Sequence, residues 1–264
     1  MTSDINTPEL KKVDLKAFEN LLESDDVIER IDISGLDVFD LDLSDHTFSG
    51  CIANGAIFTD IPLEGATWRD CQLIGTTFKS VEMADTKFYN CNFYDKSASK
   101  GSAFRFSTLT GAEFDQCDLT LCEMNRCSAH GIVFKNCRML GINLSEADFS
   151  RSFSKTVVRT QATFTECNLE QADLSGINLS GCDFLDCNMY KAALAETDLS
   201  GANLQRSSLV DVDVVGANLA GTDLRGCQVD GLNLMRLAKF DGLMITHDHT
   251  PELLRELGID VYPG

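Results

Sequence analysis

An all-β solenoid, a right-handed quadrilateral β-helix with a short helix at each end, is the fold this sequence predicts. Three observations predict it. From Ile33 to Leu234 a large apolar residue recurs at every fifth place with few failures. The place before it is usually Asp or Asn. The place two before it is small or β-branched. A period of five matches neither the helical 3.6 nor the strand's 2. A coil with four sides of five residues each satisfies it. The fifth-place residue, hereafter the centre, then points inward, as does the residue two before it. The other three places face solvent. Such arrays grow in one dimension and need no single globular core.

Residues 1–30 precede the repeat. Thr7, Pro8 and Glu9 form a helix start: a hydroxyl cap, proline in the first turn, and an acid near the positive end of the helix dipole. Leu10, Val13, Ala17, Leu21 and Leu22 follow at helical spacing. The expectation is an amphipathic helix over about 8–22 that caps the open end of the stack.

The repeat occupies 31–234. Its first block has centres from Ile33 through Phe48, Trp68 and Phe88 to Phe93 without a slip. His46 fills an inward slot and reads as a satisfied core histidine. The frame then breaks, because Phe93 to Phe104 is one residue more than two fives. Tyr94, Asp95, Lys96, Ser97, Ala98, Ser99, Lys100 and Gly101 have no apolar centre, so a polar loop near 94–101 is expected. The second block runs from Phe104 to Leu234 in one frame. Two centres fail, Ser154 and Arg159, yet Phe149 to Phe164 is still a multiple of five. Residues 153–160 are a second candidate protrusion, with a distorted but closed turn as the alternative. With phase kept, residues twenty apart stack, which predicts one ladder of Met124, Leu144, Phe164, Phe184, Leu204 and Leu224. Ten coils at the strand spacing of ~4.8 Å give a rod roughly 48 Å long.

Residues 235–264 leave the repeat. Thr250, Pro251 and Glu252 repeat the helix-start logic, Leu253, Leu254 and Leu257 share a face, and Gly258 is a C-terminal cap. Such a helix packs on the stack end or on a second subunit. His247 and His249 read as solvated on a polar linker.

Every one of the eleven cysteines falls two places before a centre, the slot filled elsewhere by Ala66, Ala172 and Ala202. They read as small buried hydrophobes. A zinc site at Cys117, Cys122 and Cys127 lacks a fourth ligand, since the next slot is Ile132. The odd count and the absence of an export signal argue against a disulfide framework. No metal or cofactor is expected.

The net charge is −19. Direct nucleic-acid binding needs a basic footprint and is not expected. No apolar run approaches the ~20 residues of a membrane span, and the start MTSDINTPELKK has no signal-peptide pattern. A cytoplasmic location follows as the default. There is no nucleophile–base pair at readable spacing and no glycine-rich phosphate loop, so the chain does not read as an enzyme.

The A-[DN]-L-x-x pattern resembles the pentapeptide-repeat family. Within it, three stretches are similar to the Qnr-type quinolone-resistance branch. They are the Cys91–Gly101 run with its Phe-Tyr-Asp and Lys-Gly, the interval from Phe149 to Phe164, and the leucine-rich run from Leu253 to Ile259. The resemblance covers the chain from about Gly50 onward, and the N-terminal helix with its first fives departs from it. It implies a non-enzymatic, DNA-mimicking rod that protects DNA gyrase or topoisomerase IV from quinolones or related toxins. It also implies a smaller loop (Tyr94, Asp95, Lys96, Ser97, Ala98, Ser99, Lys100) and a larger one (Ser154, Lys155, Thr156, Val157, Val158, Arg159) that touch the enzyme. A homodimer through Leu253, Leu254, Leu257 and Ile259 is implied as well. Residues 31–234 hold 28 acids and 15 bases, about one net charge per 3.7 Å of rod against one per ~1.7 Å for duplex DNA. The mimicry is partial, and local loop contacts would have to supply tight binding. The alternative is an adaptor scaffold that presents its sides to another protein.

Overall fold

The computed structural model describes residues 10–154 and 157–262. The chain winds into the four-sided coil that the five-residue period demands. One side is an eight-stranded parallel sheet, in which Thr47–Ser49, Thr67–Arg69, Lys87–Tyr89 and Glu113–Asp115 stack in register. A second side is a four-stranded parallel sheet from Asp37–Val38 to Ala103–Arg105. The other two sides are held by single bridges one coil apart, such as Gln72↔Asn92 and Glu82↔Thr108.

Side-chain chemistry explains each place in the five. The centres fill the bore, and Phe48, Phe58, Trp68, Phe78, Phe88 and Phe104 are fully buried. Rings in successive coils stack nearly parallel. Phe58 and Phe78 lie 5.1 Å apart at 8°, and Phe164 and Phe184 lie 4.5 Å apart at 6°. The Asp or Asn before the centre accepts the backbone N–H of the residue after it, as Asp173 does from Ser175 (3.0 Å) and Asn188 from Tyr190 (3.1 Å). That Asx turn starts each corner. Many of the acids therefore serve the backbone. In the slot two before the centre, many of the polar atoms donate to a carbonyl one coil back. Thr197 donates to the Leu174 carbonyl (2.7 Å), Ser207 to Phe184 (2.9 Å) and Cys137 to Phe114 (3.3 Å). All eleven cysteines are buried there as free thiols, and burial pushes Cys127 and Cys182 up to about 12. Thiol, hydroxyl and methyl interchange because each is small, and the hydroxyls of Thr197 and Ser207 find an acceptor there.

Four expectations are corrected by the fold. The N-terminal helix α1 spans Leu15–Ser24, not 8–22, and Thr7, Pro8 and Glu9 lie outside the described residues. Asp14 supplies its cap by accepting the Ala17 N–H at 2.8 Å. Before it, Lys11–Lys12 pairs parallel with Ile31–Asp32 and adds a strand to the stack end. Phe18 on α1 is fully buried, 6.2 Å from Phe48. His46 bonds the carbonyls of Ser44 (2.8 Å) and Leu22 (3.0 Å), tying α1 to the first coils.

The ladder of Met124, Leu144 and Phe164 does not form. Phe134 pairs with Phe164 across thirty residues, and Asn143 bridges Asp173. Met124 and Leu144 belong to the side that carries Leu174. Phe114, Phe134, Phe164 and Phe184 form the ladder on the opposite side. Between them the chain leaves the coil as a hairpin. Coiling also runs past Leu234, because Asn218 bridges Lys239 and Asp223 bridges Met244 at twenty-one-residue spacing. Finally, His249 is buried rather than solvated, with Nε2 2.9 Å from the Cys227 carbonyl, whereas His247 is exposed.

Candidate partner-binding loops and ends

The first loop is a small antiparallel pair, Tyr94–Asp95 with Lys100–Gly101. Asp95 shapes its tip by accepting the N–H groups of Ser97 (2.7 Å) and Ala98 (3.1 Å) and the Ser97 hydroxyl (2.6 Å). The Ser97 hydroxyl first, then those N–H groups, hold the Asp95 carboxyl below its usual range. Lys96, Ser97, Ala98, Ser99 and Lys100 are exposed, and Tyr94 and Asp95 are half-buried. At the base, Ser102 donates its N–H to Phe93 at 3.0 Å and closes the excursion. Gly101 is required there, because a Cβ would collide with the Leu121–Cys122 peptide.

The second protrusion is a hairpin, Ser150–Ser154 with Val157–Thr160, longer than the expected 153–160. Lys155 and Thr156 lie outside the described residues. Gln161 N–H to Phe149 O (3.1 Å) and Ser150 N–H to Asp148 (2.8 Å) close its neck. Ser154, Val157, Val158 and Arg159 are exposed, as expected of a contact surface. Sequence reasoning missed the residues that orient it. Phe153, 58% exposed, meets the His130 ring edge-on at 5.9 Å. The guanidinium groups of Arg151 and Arg159 lie 5.7 and 5.9 Å from the same ring. His130 is buried, with Nδ1 3.1 Å from the Phe149 carbonyl. Phe153 carried a signal, an aromatic one place out of frame. Arg151 and His130 carried none.

The loops are not brought together. The first leaves the edge between the sides of Phe93 and Phe104, the second the edge between those of Phe149 and Phe164. These edges are diagonally opposite, two coils apart, or roughly 10 Å along the axis. The sides also differ in charge. The fives at 41–45, 61–65, 81–85, 107–111, 127–131, 177–181, 197–201 and 217–221 stack on one side and carry Asp42, Asp45, Glu64, Glu82, Asp85 and Asp198; the same side takes Asp148, and its cations are Arg151 at the hairpin and Lys239 at the C-terminal end. The eight-stranded side carries Arg69, Lys87, Lys135, Arg206 and Arg225.

At the C-terminal end, α2 spans Thr250–Glu256, and Gly258 takes φ +77° to end it. Leu253 is buried in its own chain's core and is not available to a second subunit. Leu254 is half-buried, while Leu257 and Ile259 are exposed, as are Met235, Phe240, Met244 and Tyr262. Among the described residues no helix is long and apolar enough to cross a membrane, and no cluster of three or more His, Cys, Asp or Glu side chains could hold a metal ion.

Family models for the pentapeptide repeat region and for pentapeptide repeats in eight copies match residues 157–234 and 56–93. The chain carries pentapeptide repeats over both stretches. Its structure is similar to that of a trypsin-treated variant of QnrB1, a plasmid-mediated fluoroquinolone resistance protein. The two superpose with a TM-score of 0.70 at 24% identity, over 78% of this chain and 99% of that one. Full-length QnrB1 gives a TM-score of 0.65 at 25% identity, over 81% and 97%. No curated protein sequence matches the chain. At these identities the likeness extends to the pentapeptide-repeat fold alone.

Proposed function

We propose that this pentapeptide-repeat rod is a non-enzymatic protein that binds a type II topoisomerase, DNA gyrase or topoisomerase IV, and protects it from quinolones or related toxins. The observation that carries the reading is the pair of built protrusions on an otherwise unbroken acidic coil. A plain scaffold has no need of a loop with a preformed Asx tip or of a hairpin braced on His130 and Phe153. The protrusions carry basic and aromatic groups, Tyr94, Lys96 and Lys100 on the first and Arg151, Phe153 and Arg159 on the second. The side that carries Asp42, Glu64, Glu82 and Asp198 has cations only at Arg151 and Lys239, and its negative charge steers the rod toward a basic DNA-binding groove. Tyr94, Asp95, Lys96, Ser97, Ala98, Ser99 and Lys100 would make one contact. Ser154, Val157, Val158 and Arg159, with Lys155 and Thr156, would make the other. Leu254, Leu257 and Ile259 would join two rods end to end. Fluoroquinolone resistance, the property in the name of the similar QnrB1 structures, agrees with this reading.

The test is binding of the full chain to purified gyrase, with linear DNA as competitor. Saturable binding that DNA displaces, and that weakens as salt rises, is the expected result. Absence of binding to either topoisomerase at low salt would leave the adaptor reading, in which the same loops face a different protein.

A further inference from the structure

Beneath the first loop lies a cavity of about 410 Å³ on the side that carries Phe93. Tyr94 and Lys96 wall it from the loop, Asn92, Asp118 and Arg138 come from three successive coils, and Thr120 faces it from the corner. Two features set this place apart. The Thr120 hydroxyl is buried, in a residue 3% exposed, and has no hydrogen-bond partner. Arg138 is the one arginine between 31 and 234, among the described residues, with neither a carboxylate within salt-bridge reach nor a ring beneath it. Arg105, Arg126, Arg206 and Arg225 all pair with acids, and Arg69, Arg151 and Arg159 lie over aromatic rings. Arg138 stacks one coil above Asp118, the same offset that gives the Arg206–Asp186 pair at 2.7 Å. Here Asp118 instead accepts the Thr120 N–H at 3.1 Å.

We propose that this cavity is a docking subsite for a carboxylate side chain, Glu or Asp, of a protein partner. A planar guanidinium fork matches a carboxylate bidentately, the Lys96 ammonium adds a second charge, and the Thr120 hydroxyl supplies a donor that now has no acceptor. Asp118 in the same cavity disfavours a phosphate dianion more than a monovalent carboxylate. On a chain of net charge −19, the Arg138 and Lys96 cations and the Thr120 donor make this pocket complementary to an acidic group. The inference deepens the proposed loop contact and rests on the reading that the first loop faces a protein.

The test uses the full isotope-labelled chain, with no topoisomerase, titrated with the capped peptide acetyl-Gly-Glu-Gly-amide to about 20 mM. Its Gln counterpart and inorganic phosphate are run in parallel. Saturable NMR shifts confined to Lys96, Thr120 and Arg138 with the Glu peptide are expected. Arg138→Gln and Thr120→Val should each weaken them at least about five-fold at unchanged or raised Tm. A purely structural Thr120 hydroxyl would not separate binding from stability in this way. Equal shifts with the Gln peptide, tighter binding of phosphate, or no saturable shift would each overturn the subsite. Because gyrase is absent, that failure is distinct from failure of the topoisomerase reading, which the binding assay judges.

Discussion

Phe134 lies against Phe164 with ring centroids 5.1 Å apart and planes at 18°, although thirty residues separate them. Where no loop intervenes, neighbours on the same ladder are twenty apart, as Phe164 and Phe184 are. The extra ten residues are the excised hairpin, and the coil resumes beneath it as if they were absent. Deleting 151–160 would join Ser150 to Gln161 and leave Ala-Asp-Phe-Ser-Gln, an unbroken five. The deleted chain should fold, with stability within about 1 kcal/mol of the parent by urea denaturation, and lose topoisomerase protection.

The same contact predicts where stability resides. Phe134→Ala opens a cavity in a fully buried ladder and should cost on the order of 3–5 kcal/mol. Substituting exposed Val158 by Ala should cost under about 0.5 kcal/mol. Denaturation midpoints of the two variants check the contrast.

Trp68 sits in that bore between Phe48 (4.1 Å) and Phe88 (6.4 Å), and its indole N–H has no partner. Trp68→Phe removes the orphan donor along with some packing. The two effects oppose, so the net change should stay within about 1.5 kcal/mol, far smaller than for Phe134→Ala. Urea midpoints followed by circular dichroism would show it.

Acid sensitivity follows from the turn-forming carboxylates. Asp42 accepts the Ser44 N–H at 2.9 Å and is held below the usual carboxylate range by that bond. Asp223 is held well below it by the Arg225 guanidinium, with Gln205 adding a bond at 2.6 Å. A depressed folded pKa gives stability that is full above the unfolded value of about 3.9 and is lost as pH falls through the folded one. Tm should therefore be flat in this respect from pH 5 to 8 and fall below about pH 4. Asp223→Asn should have a lower Tm than the parent at neutral pH, and the gap should narrow in acid. A gap that widens in acid would contradict the assignment.

The apolar C-terminal end predicts assembly. Leu254→Asp combined with Leu257→Asp should give a monomer by light scattering while the coil keeps its Tm. Leu253→Asp should instead unfold the end, since that side chain is 4% exposed in its own core.

The five-residue frame makes the bore legible in the sequence, because an inward place tolerates only apolar or small residues. Phe48, Trp68, Phe114 and the cysteine slot can all be assigned by counting. The first loop is equally legible, because one residue too many between Phe93 and Phe104 cannot be absorbed by a coil. The hairpin hides for the converse reason. Its length keeps the phase of five, so counting cannot distinguish two distorted sides from a segment that has left the rod. Only the phase of twenty differs, and that is a property of stacking. Thr7-Pro8-Glu9 is the stronger local signal for a helix start, but Asp14 prevails once Lys11–Lys12 is drawn into a strand. Arg138 and Thr120 fill repeat places that counting assigns to solvent, like dozens of others, and the burial of Thr120 and the lack of partners of both exist only in three dimensions.

The most direct measurement is supercoiling by purified gyrase in the presence of a quinolone, with the full chain titrated in. The account predicts dose-dependent recovery of supercoiled product, weakened by deletion of 95–100 or of 151–160 at unchanged Tm. No recovery at any concentration, or equal recovery by both loop-deleted chains, would contradict it.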